Sequence, residues 1–195
     1  LVSQGEHDAV RRITDWADSQ GFRDRVECLG FIDGTRTVDW LDSAGCRTLN
    51  LLTKGSLRHL EVQLRWTPEK QVSRIRETIE YARSKGFQVN VYLEDWSQGM
   101  VDSKDFVFDL LAALHEMEPD RVMLPDTLGV SSPDDIAAFF REVRERYPKT
   151  RFDFHGHNDY GMGTANSLAA VRQGATGVHC TVNGLGERAG NAPLD

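Results

Sequence analysis

Apolar residues recur along the chain in two rhythms. One is strict alternation over short runs, the mark of a half-buried strand. The other is the three-to-four-residue spacing of an amphipathic helix. Alternating runs predict strands over 25–33 (RVECLGFID), 48–53, 88–95, 121–127, 151–159 and 177–184. Helical spacing predicts helices over 5–21, 37–45, 67–86, 104–117, 132–148 and 163–174. The helix over 67–86 carries its own punctuation: Thr67 caps it, Pro68 sits in its first turn and Gly86 stops it. Ser132 and Pro133, followed by two acidic residues, open the 132–148 helix in the same way. No long linker or low-complexity segment interrupts the series.

Alternation of strand and helix predicts a parallel sheet with helical cover. Side-chain parity within the strands decides which kind. One alternate set is apolar: Val26 and Cys28; Leu49 and Leu51; Val89, Val91 and Leu93; Val122 and Leu124; Phe152 and Phe154; Val178, Cys180 and Val182. The other is more polar: Glu27, Asn50, Asn90, Asp153, His155, His157, His179 and Asn183. A doubly wound sheet would be apolar on both faces. One apolar and one polar face fits an α/β chain of the (β/α)8 TIM-type barrel, with helices outside and a polar lumen. Six strands are readable, whereas eight units take about 250 residues. The chain opens into a helix with no strand before it and stops just after its last strand. The expectation is therefore one partial catalytic barrel domain over 1–195, without its first two strands and its C-terminal end.

Composition narrows the function. A net charge of −7 argues against a general nucleic-acid surface. No apolar run approaches the length of a membrane span and no signal peptide is visible. Cys28, Cys46 and Cys180 are odd in number and widely spaced. They read as reduced thiols of a cytoplasmic protein, not as a disulfide frame or zinc knuckle. Cys28 and Cys180 have outward parity and are expected in the core.

Barrel active sites gather at the C-terminal ends of the strands, and the chemistry-bearing residues fall there. In HGHNDYGMGTANSL, His155 and His157 lie two apart and so share the lumen face. Two imidazoles so placed can bind one divalent cation. With oxygen co-ligands they suit zinc, manganese or iron, and magnesium less well. The alternative is a structural pair hydrogen-bonded to neighbours. Asn158 and Asp159 follow and could orient the ligands. In VYLEDW, Tyr92 and Glu94 face the lumen; Glu94 is a candidate general base or acid. Asp95 has the opposite parity and reads as a surface carboxylate. In PDTLG, Thr127 could hold a substrate carboxylate, or the segment could be a helix-capping turn around Asp126. NGLGERAGNA is not a phosphate loop, since the spacing is wrong and no lysine follows; it reads as a tight loop delivering Asn191 to the barrel mouth.

Together HGHND, DTLG and TVNGLGERAGNA resemble the metal-dependent acyl-CoA:2-oxoacid acyltransferases. These are the 2-isopropylmalate, homocitrate and citramalate synthases, relatives of HMG-CoA lyase. The motifs stand in order at the ends of three successive strands, and the resemblance covers essentially the whole chain. LGFIDGTRTVDW, LNLLTKGSLRHLE and NVYLEDWSQGM look most like the bacterial (R)-citramalate synthase branch. The resemblance implies that His155 and His157 bind a divalent metal (zinc, manganese or magnesium). It implies Asn191 as a more distant ligand or a supporting residue, Thr127 on the oxoacid carboxylate and Glu94 in catalysis. It implies that Leu29, Leu52 and Tyr92 line the pocket for the pyruvate methyl group. It also implies acetyl-CoA and a small 2-oxoacid as partners, and a homodimer. The family's first-strand Arg-Asp pair and its C-terminal assisting histidine have no counterpart here. The readings that follow are a citramalate synthase, a 2-isopropylmalate synthase acting on 2-oxoisovalerate, a lyase running the reverse cleavage, or a non-catalytic barrel fragment.

Overall fold

The structure is a computed structural model that describes residues 3–194. Helix α1 (Gln4–Ser19) leads into β1 (Glu27–Phe31), α2 (Arg36–Ser43) and β2 (Thr48–Lys54). A short helical turn, α3 (Leu57–His59), continues as a π-helical turn over Leu60–Leu64 and precedes α4 (Pro68–Ser84) and β3 (Gln88–Glu94). Then come α5 (Trp96–Asp102), α6 (Lys104–Met117), β4 (Arg121–Asp126), α7 (Pro133–Arg146), β5 (Phe152–Gly156), α8 (Gly163–Arg172) and β6 (Gly177–His179). The expected caps form. The Thr67 hydroxyl accepts from the Lys70 amide at 3.3 Å. Ser132 and Asp135 make a reciprocal capping box at the start of α7.

All six strands are parallel and lie in sequence order, β1 to β6, each beside the next. The sheet curls. On its inner face Arg121 of β4 pairs with Glu27 of β1, three strands away, and Tyr92 of β3 meets His179 of β6. A flat sheet would hold those residues well apart, because neighbouring strands are about 4.8 Å from each other. The chain is thus an incomplete (β/α) barrel.

The outer face forms the core. Leu49, Leu51, Val89, Val91, Leu93, Leu124, Phe152 and Phe154 are all fully buried. Each such side chain contributes about 1.5–3 kcal/mol by leaving water. Trp96 of α5 is also fully buried; it packs edge-on against Phe140, which packs edge-on against Phe154.

Three sequence expectations need correction. The last strand ends at His179, not at 184, and residues 182–184 form a 3-10 turn with Asn183 exposed and at φ 56°. Asn183 therefore does not stand on a lumen strand. Cys180 and Val182 are exposed rather than core. The cause lies in β5: beyond His155 its backbone pairs with a returning segment, through Ala192 N–H to Gly156 O and a His157–Asn191 bridge. Past His179 the chain leaves β5 and bridges to the same returning segment, Thr181 N–H to Ala192 O and Leu194 N–H to Thr181 O. Asp95 is buried, not a surface carboxylate. It sits in the left-handed region at φ 68°, and its carboxylate accepts from the Ser56 hydroxyl at 2.7 Å.

Candidate active site

A cavity of about 460 Å³ opens at the C-terminal ends of the strands. Its wall includes Leu29, Leu52, Tyr92, Glu94, Thr127, His155 and His157, seven of the residues singled out from sequence, together with Glu187. Leu29 lies on the open β1 side of the sheet and is 46% exposed.

His155 and His157 converge, with their Nε2 atoms 3.3 Å apart. Burial and the neighbouring His157 and His179 push His155 down to about 3. Burial, with Arg188 nearby, also lowers His157. Both rings are therefore neutral at pH 7, the form that ligates metal. Buried Nδ1 atoms of both rings and the Oδ1 of Asn191 have no hydrogen-bond partner. The Nε2 spacing is what two nitrogens sharing one ion at about 2.1 Å each would have. The two imidazoles thus fit as nitrogen ligands, and Asn191 is joined to His157 by a backbone bridge. No cluster of three or more His, Cys, Asp or Glu side chains arranged for a metal occurs among the described residues.

The loops around this pair are tied to one another. Asn158 Oδ1 accepts from the Gly163 amide at 2.9 Å, the first amide of α8. Asp159 binds Arg188 through both carboxylate oxygens, at 2.8 and 3.0 Å, and Arg188 also donates to Thr127 O at 2.7 Å. Neither Asn158 nor Asp159 hydrogen-bonds an imidazole; they fix the loop that carries the pair. Gly129 closes the DTLG turn at φ 63°, and a Cβ there would lie 2.7 Å from the Asp159 carboxylate. Asp126 is a buried turn anchor, accepting from Ser97, Ser131 and Asn166. Thr127 Oγ1 accepts from the Asp95 amide at 2.8 Å, which leaves its own proton free to donate into the cavity.

Sequence reasoning passed over Lys54 and Arg188. Lys54 Nζ pairs with Glu94, and its side chain is only 11% exposed. Gln71 of α4, itself fully buried, holds the Lys54 backbone from both sides. It accepts from Lys54 N–H at 3.3 Å and donates to Lys54 O at 2.9 Å. The signal for Lys54 was available, since it shares parity with Asn50 and Leu52. Arg188 carries none, because its partners come from two other loops.

Fold and site together define a partial (β/α) barrel with a neutral imidazole pair, a carboxylate and a hydroxyl around one cavity at its C-terminal rim. The chain belongs to the HMGL-like family, which it matches over residues 1–195. It is 34% identical to 2-isopropylmalate synthase of Sulfurisphaera tokodaii, across all of this chain and 48% of the relative. It is 35% identical to the putative (R)-citramalate synthase of Methanopyrus kandleri, across all of this chain and 37% of the relative. The chain thus spans half or less of these relatives' length. Among solved structures it resembles the HMG-CoA lyase of Brucella melitensis, with TM-score 0.79, 19% identity, and coverage of 94% of this chain and 67% of that one. That likeness speaks for the fold. No helix among the described residues is long and apolar enough to cross a membrane.

Proposed function

We propose that this chain is the core of a cytoplasmic acyltransferase barrel that condenses acetyl-CoA with pyruvate to give (R)-citramalate. One observation carries the choice of pyruvate: Leu29, Leu52 and Tyr92 share the cavity with the imidazole pair and Thr127. Three bulky side chains are expected to crowd the oxoacid's C3 end.

In this reading His155, His157 and Asn191 would hold a divalent ion, which would supply Lewis-acid polarisation of the oxoacid's keto group. Thr127 donates its hydroxyl proton to the oxoacid carboxylate. Glu94, kept in place by Lys54, takes a proton from the acetyl methyl group. The resulting enolate carbon bonds to the keto carbon, whose C=O pair moves to oxygen and is then protonated. Water cleaves the thioester and releases coenzyme A. The complete enzyme is a homodimer.

The second reading is condensation with 2-oxoisovalerate, favoured by the 34% identity to a 2-isopropylmalate synthase. The test is kcat/KM for each oxoacid with acetyl-CoA and Mn²⁺, following thiol release by the full-length protein that carries this chain. Pyruvate should be preferred by about 10- to 200-fold. A preference for 2-oxoisovalerate overturns the substrate, and turnover of neither overturns the enzyme.

A further inference from the structure

Tyr92 stands on β3, and its ring lies between two histidines. Its centroid is 5.9 Å from that of His155 and 5.5 Å from that of His179. The Tyr92 hydroxyl is hydrogen-bonded to Nδ1 of His179, which belongs to β6 on the far side of the lumen. His179 is itself braced. Its Nε2 lies 3.8 Å from the Asp153 carboxylate. Asp153 is 1% exposed and is held by Arg121 at 2.8 Å and by the Thr176 hydroxyl at 2.7 Å. Gly177 makes room for this arrangement. A Cβ at Gly177, on the same face as His179 and two residues before it, would meet the Asp153 carboxyl at 2.8 Å.

We propose that His179 is a positioning residue that fixes the aromatic wall of the oxoacid pocket and thereby sets the largest C3 substituent admitted. The inference rests on the 2-oxoacid reading above. The Asp153 carboxylate favours the imidazole proton on Nε2, so Nδ1 accepts from the Tyr92 hydroxyl. With its proton committed across the lumen, Tyr92 has none to offer a substrate oxygen. It acts as a wall, tied at its backbone by β3 and at its tip by β6. A tyrosine fixed at both ends cannot swing aside for a larger substrate, whereas one tied only at its backbone can change rotamer. Selectivity then depends on a residue that does not line the cavity.

The experiment uses the full-length protein and compares pyruvate with 2-oxoisovalerate in the parent, His179→Ala, His179→Asn and Tyr92→Phe. His179→Ala should lower the pyruvate preference at least about tenfold, chiefly through a lower KM for the larger acid, with kcat on pyruvate changed much less. His179→Asn keeps an acceptor near the Nδ1 position and should restore most of the preference. Tyr92→Phe should act like His179→Ala, and the double variant should be no worse than either, because all three remove one hydrogen bond. An unchanged preference in a folded His179→Ala overturns the proposal; if that variant does not fold, an unchanged preference in Tyr92→Phe overturns it. In either case a parent that turns over pyruvate leaves the acyltransferase reading standing. A parent that condenses neither oxoacid overturns the reading and this inference with it.

Discussion

The floor and the rim of the lumen are built from similar residues and treat them in opposite ways. At the floor Arg121 reaches Glu27, Asp153 and Asn90, and Asn90 reaches Asn50. Each charge faces its complement. At the rim His155, His157 and Asn191 keep buried atoms without partners. An unmet buried polar group costs about 1–3 kcal/mol, and at the rim the two Nε2 atoms, which face the shared position, have only each other at 3.3 Å. A polar lumen is therefore two structures in one: a plug that carries stability and a mouth that gives some up for chemistry.

That contrast breaks most visibly at Glu94. Glu94→Gln keeps the shape and an oxygen acceptor for Lys54, and should cost about 10²–10⁴ in kcat with a smaller loss of stability than a break in the floor network. A large loss of stability instead would make Glu94 part of the plug. At the floor the reverse should hold. Arg121→Met leaves Glu27 and Asp153 without their cation, and removing one partner of a buried pair costs about 3 kcal/mol or more; urea melts should register it directly. If the melts do not shift, the floor network adds nothing to stability.

The smallest effect sharpens the comparison through acid. Above about pH 6.5 His155 is neutral in both folded and unfolded chains. Below that the unfolded chain gains a proton there, and the folded one does not until about pH 3. Metal-free protein should thus lose up to about 1.4 kcal/mol per pH unit across that window. His155→Gln should remove this share, so that its melts and the parent's diverge only below about pH 6.5. Parallel curves throughout would mean that His155 is not held neutral.

What the sequence conveyed follows from the range of its signals. Strand alternation is local, so all six strands and the inward set from Asn50 to His155 are legible in the residue pattern alone. Helix α5 was not: it has seven residues, four of them buried, and no amphipathic stripe. The Glu27–Arg121 pair spans 94 positions and exists only because the sheet curls. Alternation at Cys180 and Val182 continued past the point where β5 had turned to another partner, so pattern alone overran the strand. The seven wall residues singled out from sequence were legible because each lies between the middle of a strand and the first residue past its end, whereas Glu187 lies on a loop. The clamp by Arg188 was not, because it depends on how three loops meet.

Gln71 has a consequence for how this fold can vary. By gripping the peptide groups of Lys54 in both directions, it gauges α4 directly against the end of β2. The mostly exposed residues 61–65 are relieved of that task. They can drift among descendants of this chain without carrying Lys54 and Glu94 out of alignment, whereas Gly55, Ser56 and Leu60 are buried and held in place. Replacing the amide by glutamate forfeits its donor and replacing it by methionine forfeits both bonds, so a single side chain limits how far the neighbouring loop can wander.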